Sequence, residues 1–230
     1  MRRPAHFVLI GPRDVVERAR ALLDAHEEAP MTARICGMLW GGLVLSVLSL
    51  PATEVLAQSE GPWQWEADVG YGYGIDISSH ATFLGDVRFV GVAARLGRPV
   101  GDRFLEESWL EGRVQLMGEV PLWVSLEPER GFAAGATLVP RYTFGESAAL
   151  RPFAEAGVGP IYLHFNNERS QADGVSFTLQ VGGGVMYSVA PGWAVALRGQ
   201  LHHISNAGLR SPNPGINDLL FTLGVVRAPR

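Results

Sequence analysis

The chain has 230 residues, of which 19 are basic and 23 acidic, for a net charge of −4, and every basic residue is arginine. That balance argues against a nucleic-acid partner, which needs a basic surface. The single cysteine, Cys36, excludes an intrachain disulfide framework and a cysteine-built metal centre.

From the N-terminus, residues 1–30 form a charged, helix-prone preface, and residues 31–57 then read as a secretory signal. Arg34 precedes an apolar run over 35–50, and Val55-Leu56-Ala57 supplies a small-residue cleavage pattern. A membrane-spanning helix is the alternative, but the run is short, glycine-interrupted and followed by Pro51 and Glu54. Signal peptides carry no preface such as 1–30, so the simplest account is a start codon assigned too early, with Met31 the real start; a cytosolic regulatory extension is the other account. The mature protein is then a single domain over 58–230, without cysteine.

No apolar run after Ala57 is long enough to cross a bilayer as a helix, but barrel strands need only about ten residues of alternating character. Residues 63–74 have that character: Trp63, Trp65, Ala67, Val69, Tyr71 and Tyr73 alternate with Gln64, Glu66, Asp68 and glycines. The tryptophans at one end and tyrosines at the other suggest two interfacial girdles. The Gly-Tyr-Gly-Tyr-Gly run lacks a following helix or lysine and is no phosphate loop.

Further strands are predicted at 83–96, 109–120, 132–144, 152–164, 177–189, 193–205 and 217–226. The fold class is therefore all-β: an eight-stranded antiparallel transmembrane β-barrel of the outer-membrane type, closed so that no edge is left open. Eight strands leave no channel, so polar side chains fill the interior as a paired core. Glu66, Asp68, Arg88, Glu111, Arg113, Glu155, Arg198, Gln200 and His202 are candidates for it. Short connections at 145–147 and 190–192 contrast with long ones at 165–175 and 206–216. Long loops of such barrels face outward.

The end of the seventh strand carries the chemistry. His203-Ile204-Ser205-Asn206-Ala207-Gly208 is followed by Asn213-Pro214-Gly215-Ile216-Asn217. Strand residues i and i+2 share a face, so His203 and Ser205 can meet, with Leu197 and Leu201 on the same side. A serine hydroxyl needs a base, and imidazole, titrating near neutrality, is suited to that work. Asn206 and the amides around Gly208 offer donors for a developing oxyanion. Asn217 shares the parity of Leu219 and Phe221, whereas Asp218 and His202 have the opposite parity. If the odd-numbered face meets lipid, a hydrolase built this way acts on a lipid.

The HxSNAG and NPG segments, sharpest over 203–217 and continued as strand rhythm from about residue 63, resemble the outer-membrane lipid A 3-O-deacylase family, also described as acyloxyacyl hydrolases. The resemblance implies an eight-stranded barrel in the Gram-negative outer membrane that removes an ester-linked acyl chain from the lipid A of lipopolysaccharide. It implies His203 as base, Ser205 as nucleophile, and Asn206 and Gly208 at the oxyanion. The best-known members carry a glutamate where this chain has Asn217, so Asn217 is the orienting position by correspondence only. No cofactor or metal is implied, and a homodimer is an open possibility. Two other readings stand beside this one: a non-enzymatic structural or adhesive outer-membrane barrel with a decayed site, and a soluble lipocalin-like barrel. The latter should show an apolar interior and a polar exterior.

Overall fold

Alternating polar and apolar residues build nine antiparallel strands among the described residues. The structure is a computed structural model and describes residues 63–75, 87–145, 149–165 and 171–227. The preface, the signal segment, the first residues of the expected second strand and the turn at 146–148 lie outside the described residues.

The strands are β1 (Gln64–Gly74), β2 (Arg88–Pro99), β3 (Gly112–Glu127), β4 (Gly131–Gly135), β5 (Thr137–Phe144), β6 (Leu150–Phe165), β7 (Gly174–Ala190), β8 (Trp193–Ser205) and β9 (Ile216–Arg227). β1 pairs with both β2 and β9, and the ring closes through β2–β3. β4 and β5 lie end to end between β3 and β6 in one continuous register, so the ring has eight positions.

Two prolines on the flanking strands accompany the break between β4 and β5. The registers of β3 and β6 place Pro121 level with Gly135 and Pro160 level with Ala136. Neither proline has an N–H to give the ladder. β3 also runs past its expected end at 120, because Pro121 does not stop it: Trp123 and Ser125 continue the buried face to Glu127.

The inner face is ionic. Glu66 and Asp68 of β1, Arg95 of β2, Glu119 of β3, Arg141 of β5, Glu155 of β6 and Arg198 of β8 are all buried. Arg198 bonds Glu66 at 2.9 Å, Glu155 at 2.8 Å and Asp68 at 3.1 Å. Arg141 bonds Glu155 at 2.8 Å and also pairs with Glu66. Arg95 joins Glu155 at 2.9 Å, Asp68 at 3.3 Å and Glu119. Charges buried this completely persist only when paired.

Two residues expected in this interior, Arg88 and Glu111, are elsewhere. Arg88 is exposed and meets Glu127 at 3.3 Å, because its parity is opposite to that of the buried Arg95 on the same strand. Glu111 precedes β3 and pairs with Arg103 at 2.9 Å on an exposed connection. Arg113, half-buried near the start of β3, shares the parity of the buried Gln115 and Glu119 and so keeps the expected inward side at that end of the strand.

The outer face is apolar. Val69, Val92, Leu96, Val120, Leu197, Phe221 and Leu223 are each about half exposed or more, in strands whose alternate residues are buried. This is the reverse of a lipocalin-like barrel, and contiguous apolar exterior of this extent fits a lipid surround. At one end Trp65 meets Trp193 edge-on at 5.6 Å, and the Arg227 and Arg98 guanidinium groups lie over Trp193 and Trp63 at 4.9 and 5.4 Å. The opposite end carries Tyr73, Phe132 and Tyr162 together with residues 171–173 and the connection 206–215.

Candidate active site

β8 and β9 form the platform. Their register pairs His203 with Asn217 and His202 with Asp218. Opposite parity sends the first pair outward and the second inward. On the outer face His203 Nδ1 lies 2.7 Å from Asn217 Oδ1. With a carbonyl oxygen as partner, Nδ1 holds the ring proton and Nε2 keeps its lone pair for a base role. Ser205 is half-buried on the same outward face, two residues further along β8. In this structure the ring's hydrogen bond runs to Asn217 and none runs to Ser205.

Gly215 completes the patch. The β8–β9 register, continued beyond Ile204 and Ile216, sets it opposite Ser205. Its φ is +76°, and a Cβ there would lie 3.0 Å from His203 Cε1 and 3.8 Å from Nε2. Glycine at this point satisfies the left-handed backbone and leaves the working edge of the imidazole uncovered. In the sequence Gly215 is marked only by the NPG segment; its place beside the site follows from the β-register that sets it opposite Ser205.

Asn206 is buried, and its side chain is engaged within the loop: Oδ1 accepts the Gly208 N–H at 3.0 Å, and Nδ2 donates to Arg210 O at 3.0 Å. The Asn206 N–H donates to Asn213 Oδ1 at 2.9 Å. Gly208 adopts φ +78° and Ala207 φ +53°. Asn206 and Gly208 thus stand together beside Ser205, bonded to one another as well as to the loop around them.

The inward pair is different. His202 is buried, with Nδ1 2.9 Å from Asp218 Oδ2 and Nε2 2.7 Å from Thr178 Oγ1 of β7. Sequence parity put both His202 and Asp218 inside, and they are there.

The geometry alone describes a histidine, a serine and an amide on the outer, apolar side of a small barrel. The sequence profile of the lipid A 3-O-deacylase (PagL) family matches residues 90–226, which takes in β8, β9 and the loop between them. The chain belongs to that family. It is therefore an enzyme, a hydrolase of the outer membrane.

Several solved structures resemble the chain. The outer membrane enzyme PagL is 23% identical, over 73% of this chain and 99% of that one, with a TM-score of 0.45. Neisserial surface protein A (NspA) is 14% identical, over 73% and 97%, with a TM-score of 0.48. The N-terminal β-barrel domain of Pseudomonas aeruginosa OprF is 16% identical, over 73% and 98%, with a TM-score of 0.41. No curated protein matches the sequence.

Proposed function

We propose that this outer-membrane lipid A deacylase works by a Ser-His mechanism on the lipid-facing surface of its barrel. Ser205 is the nucleophile, His203 the base, and Asn217 the residue that orients the imidazole. The observation that carries the reading is the 2.7 Å bond between His203 Nδ1 and Asn217 Oδ1, which frees Nε2 on the face that Ser205 shares.

As substrate binds, Ser205 Oγ attacks the ester carbonyl carbon and its proton passes to His203 Nε2. The Asn206 and Gly208 N–H groups are taken up within the loop and hold it in shape. The donors it offers the oxyanion are therefore the Ala207 N–H and the second Nδ2 hydrogen of Asn206. The tetrahedral intermediate collapses, the sugar oxygen leaves with the proton from His203, and the acyl group stays on Ser205. Water, deprotonated by His203, then attacks the acyl-enzyme, and Ser205 leaves with the proton as the fatty acid is released. Contacts between serine and base that are loose in a free enzyme tighten in the complex.

The site lies at the end of the barrel that carries the long loops, the outward end in this class of protein. That end meets the outer leaflet, where lipid A resides. The proposal includes export and cleavage after Ala57, and no nucleic-acid partner. Ser205→Ala should abolish release of fatty acid from lipid A, read by mass spectrometry of lipid A from expressing cells, while the barrel still folds. Release at the parental rate would overturn the nucleophile assignment.

A further inference from the structure

The proposed chemistry asks for donors in a loop that the sheet does not hold. Past Ser205 the chain leaves β8, and residues 206–208 need another support. Asn206 gives part of it through its bonds to Gly208 and Arg210. The rest comes from the connection between β6 and β7.

Gln171 in that connection is fully buried and donates Nε2–H to Asn213 Oδ1 at 3.2 Å. The same oxygen accepts the Asn206 N–H at 2.9 Å. A backbone N–H can only donate, so the orientation of the Asn213 amide is set by Asn206. Facing that oxygen, Gln171 must present its own NH₂. Two flanking bonds tie the same loops: the Ala172 N–H donates to Pro212 O at 2.9 Å, and the Arg210 guanidinium donates to Asp173 O. Asp173 is in turn fixed to the end of β6, accepting the Phe165 N–H at 2.7 Å and meeting His164 Nδ1 at 2.5 Å.

Gln171 Oε1 is buried without a hydrogen-bond partner among the described residues. An apolar side chain of the same size would fill the space without that penalty. The retained amide is explained by what its donor does to Asn213.

We propose that Gln171 is a positioning residue for deacylation. Acting through Asn213, it fixes the Asn206 backbone amide, and with it the loop that carries the oxyanion donors beside Ser205. It touches no substrate. The inference rests on the Ser205 reading above.

Gln171→Glu is the discriminating variant, since it keeps the shape and, ionised, has no donor. Asn213 is then caught between two demands. If its oxygen stays toward the Asn206 N–H, it faces a carboxylate; if it turns its NH₂ to Glu, the Asn206 N–H loses its acceptor. On purified lipid A in detergent, kcat per folded enzyme should fall about tenfold or more, with KM within about threefold of the parent. The folded fraction is read from heat-modifiable gel migration. Gln171→Met, which has no donor in any protonation state, should lower kcat per folded enzyme by about threefold or more with KM little changed. It decides the matter if the glutamate variant does not fold or, buried, takes up a proton and donates.

A loss that follows the folded fraction and leaves kcat per folded enzyme at the parental value would overturn the proposal. Ser205→Ala is run alongside. If it stays active, the underlying site reading has failed; if it is inactive while Gln171→Glu and Gln171→Met keep the parental kcat, only the positioning role has failed.

Discussion

His202 and His203 are neighbours in β8, on opposite sides of the barrel wall. His202 has the more complete set of partners, with the Asp218 carboxylate on one ring nitrogen and the Thr178 hydroxyl on the other. An acid, an imidazole and a hydroxyl in line are the elements of a catalytic triad. Yet Thr178 and Asp218 are buried, and the array is sealed inside the barrel. His203 has only an amide partner, but it stands on the outer face of the barrel wall, only half-buried where His202 is buried. Access separates the two more than hydrogen-bond geometry does. The inner array ties β7, β8 and β9 together one residue away from the outer site, and so serves as its backing.

The largest expected effect is on that contrast. His203→Gln should lower deacylation by about 10⁴-fold, the order lost when a triad member no longer serves. His202→Gln should keep kcat to within a few-fold in the folded fraction, since it changes only the inner face. Rates on lipid A normalised to folded barrel compare the two. Exchanged phenotypes would mean that β8 is displaced by one residue, which turns every side chain to the other face.

Lower on the same strand the faces differ in stability instead of chemistry. Arg198→Ala removes the cation shared by Glu66, Asp68 and Glu155. Stranding buried carboxylates in this way should cost about 3–5 kcal/mol. Leu197→Arg, next along the chain but outward-facing, should cost about 2–4 kcal/mol if it sits near the bilayer midplane. Urea unfolding from lipid vesicles measures both. In detergent micelles the Leu197→Arg penalty should shrink while the Arg198→Ala penalty stays. Equal loss in both media for Leu197→Arg would contradict a lipid-facing odd-numbered side.

The outer face was legible in the sequence because period-two alternation is local: Trp63 to Tyr73 reads directly as the exposed side of β1. The same parity put His202 inside and His203 outside. The members of the ionic interior were less legible, since a charge is inside only if the strand's phase and ends are right. Arg88 and Arg95 have opposite parity on β2 and cannot share a face, and Arg95, Glu119 and Arg141 were the buried partners left out. The interruption between β4 and β5 accompanies prolines on other strands, so no local pattern announces it. At the site, His203, Ser205 and Asn217 are found by parity and by the motif. Gln171 sits in a loop without periodicity, and its link to Asn213 exists only across two connections.

The remaining prediction sharpens the difference between the amide at Asn217 and the carboxylate at Asp218. As a neutral acceptor, Asn217 holds the His203 ring through Nδ1 but adds no negative charge when the ring becomes cationic. A neutral hydrogen bond is worth about 1 kcal/mol net and one to a charged group about 1.5–3, where about 1.4 kcal/mol is tenfold in rate. Asn217→Leu should therefore lower kcat by about five- to tenfold, and Asn217→Glu should raise it several-fold, because a carboxylate at the same place stabilises the imidazolium. Asp218→Asn should act mainly on the folded fraction, since Asp218 bonds His202 on the inner side. Initial rates on purified lipid A, per folded enzyme, test all three. An unaffected Asn217→Leu beside a large kcat loss in Asp218→Asn would move the orienting role to the inner carboxylate. That outcome would require β9 to present Asp218 outward during turnover, breaking the His202 contact that holds it inside.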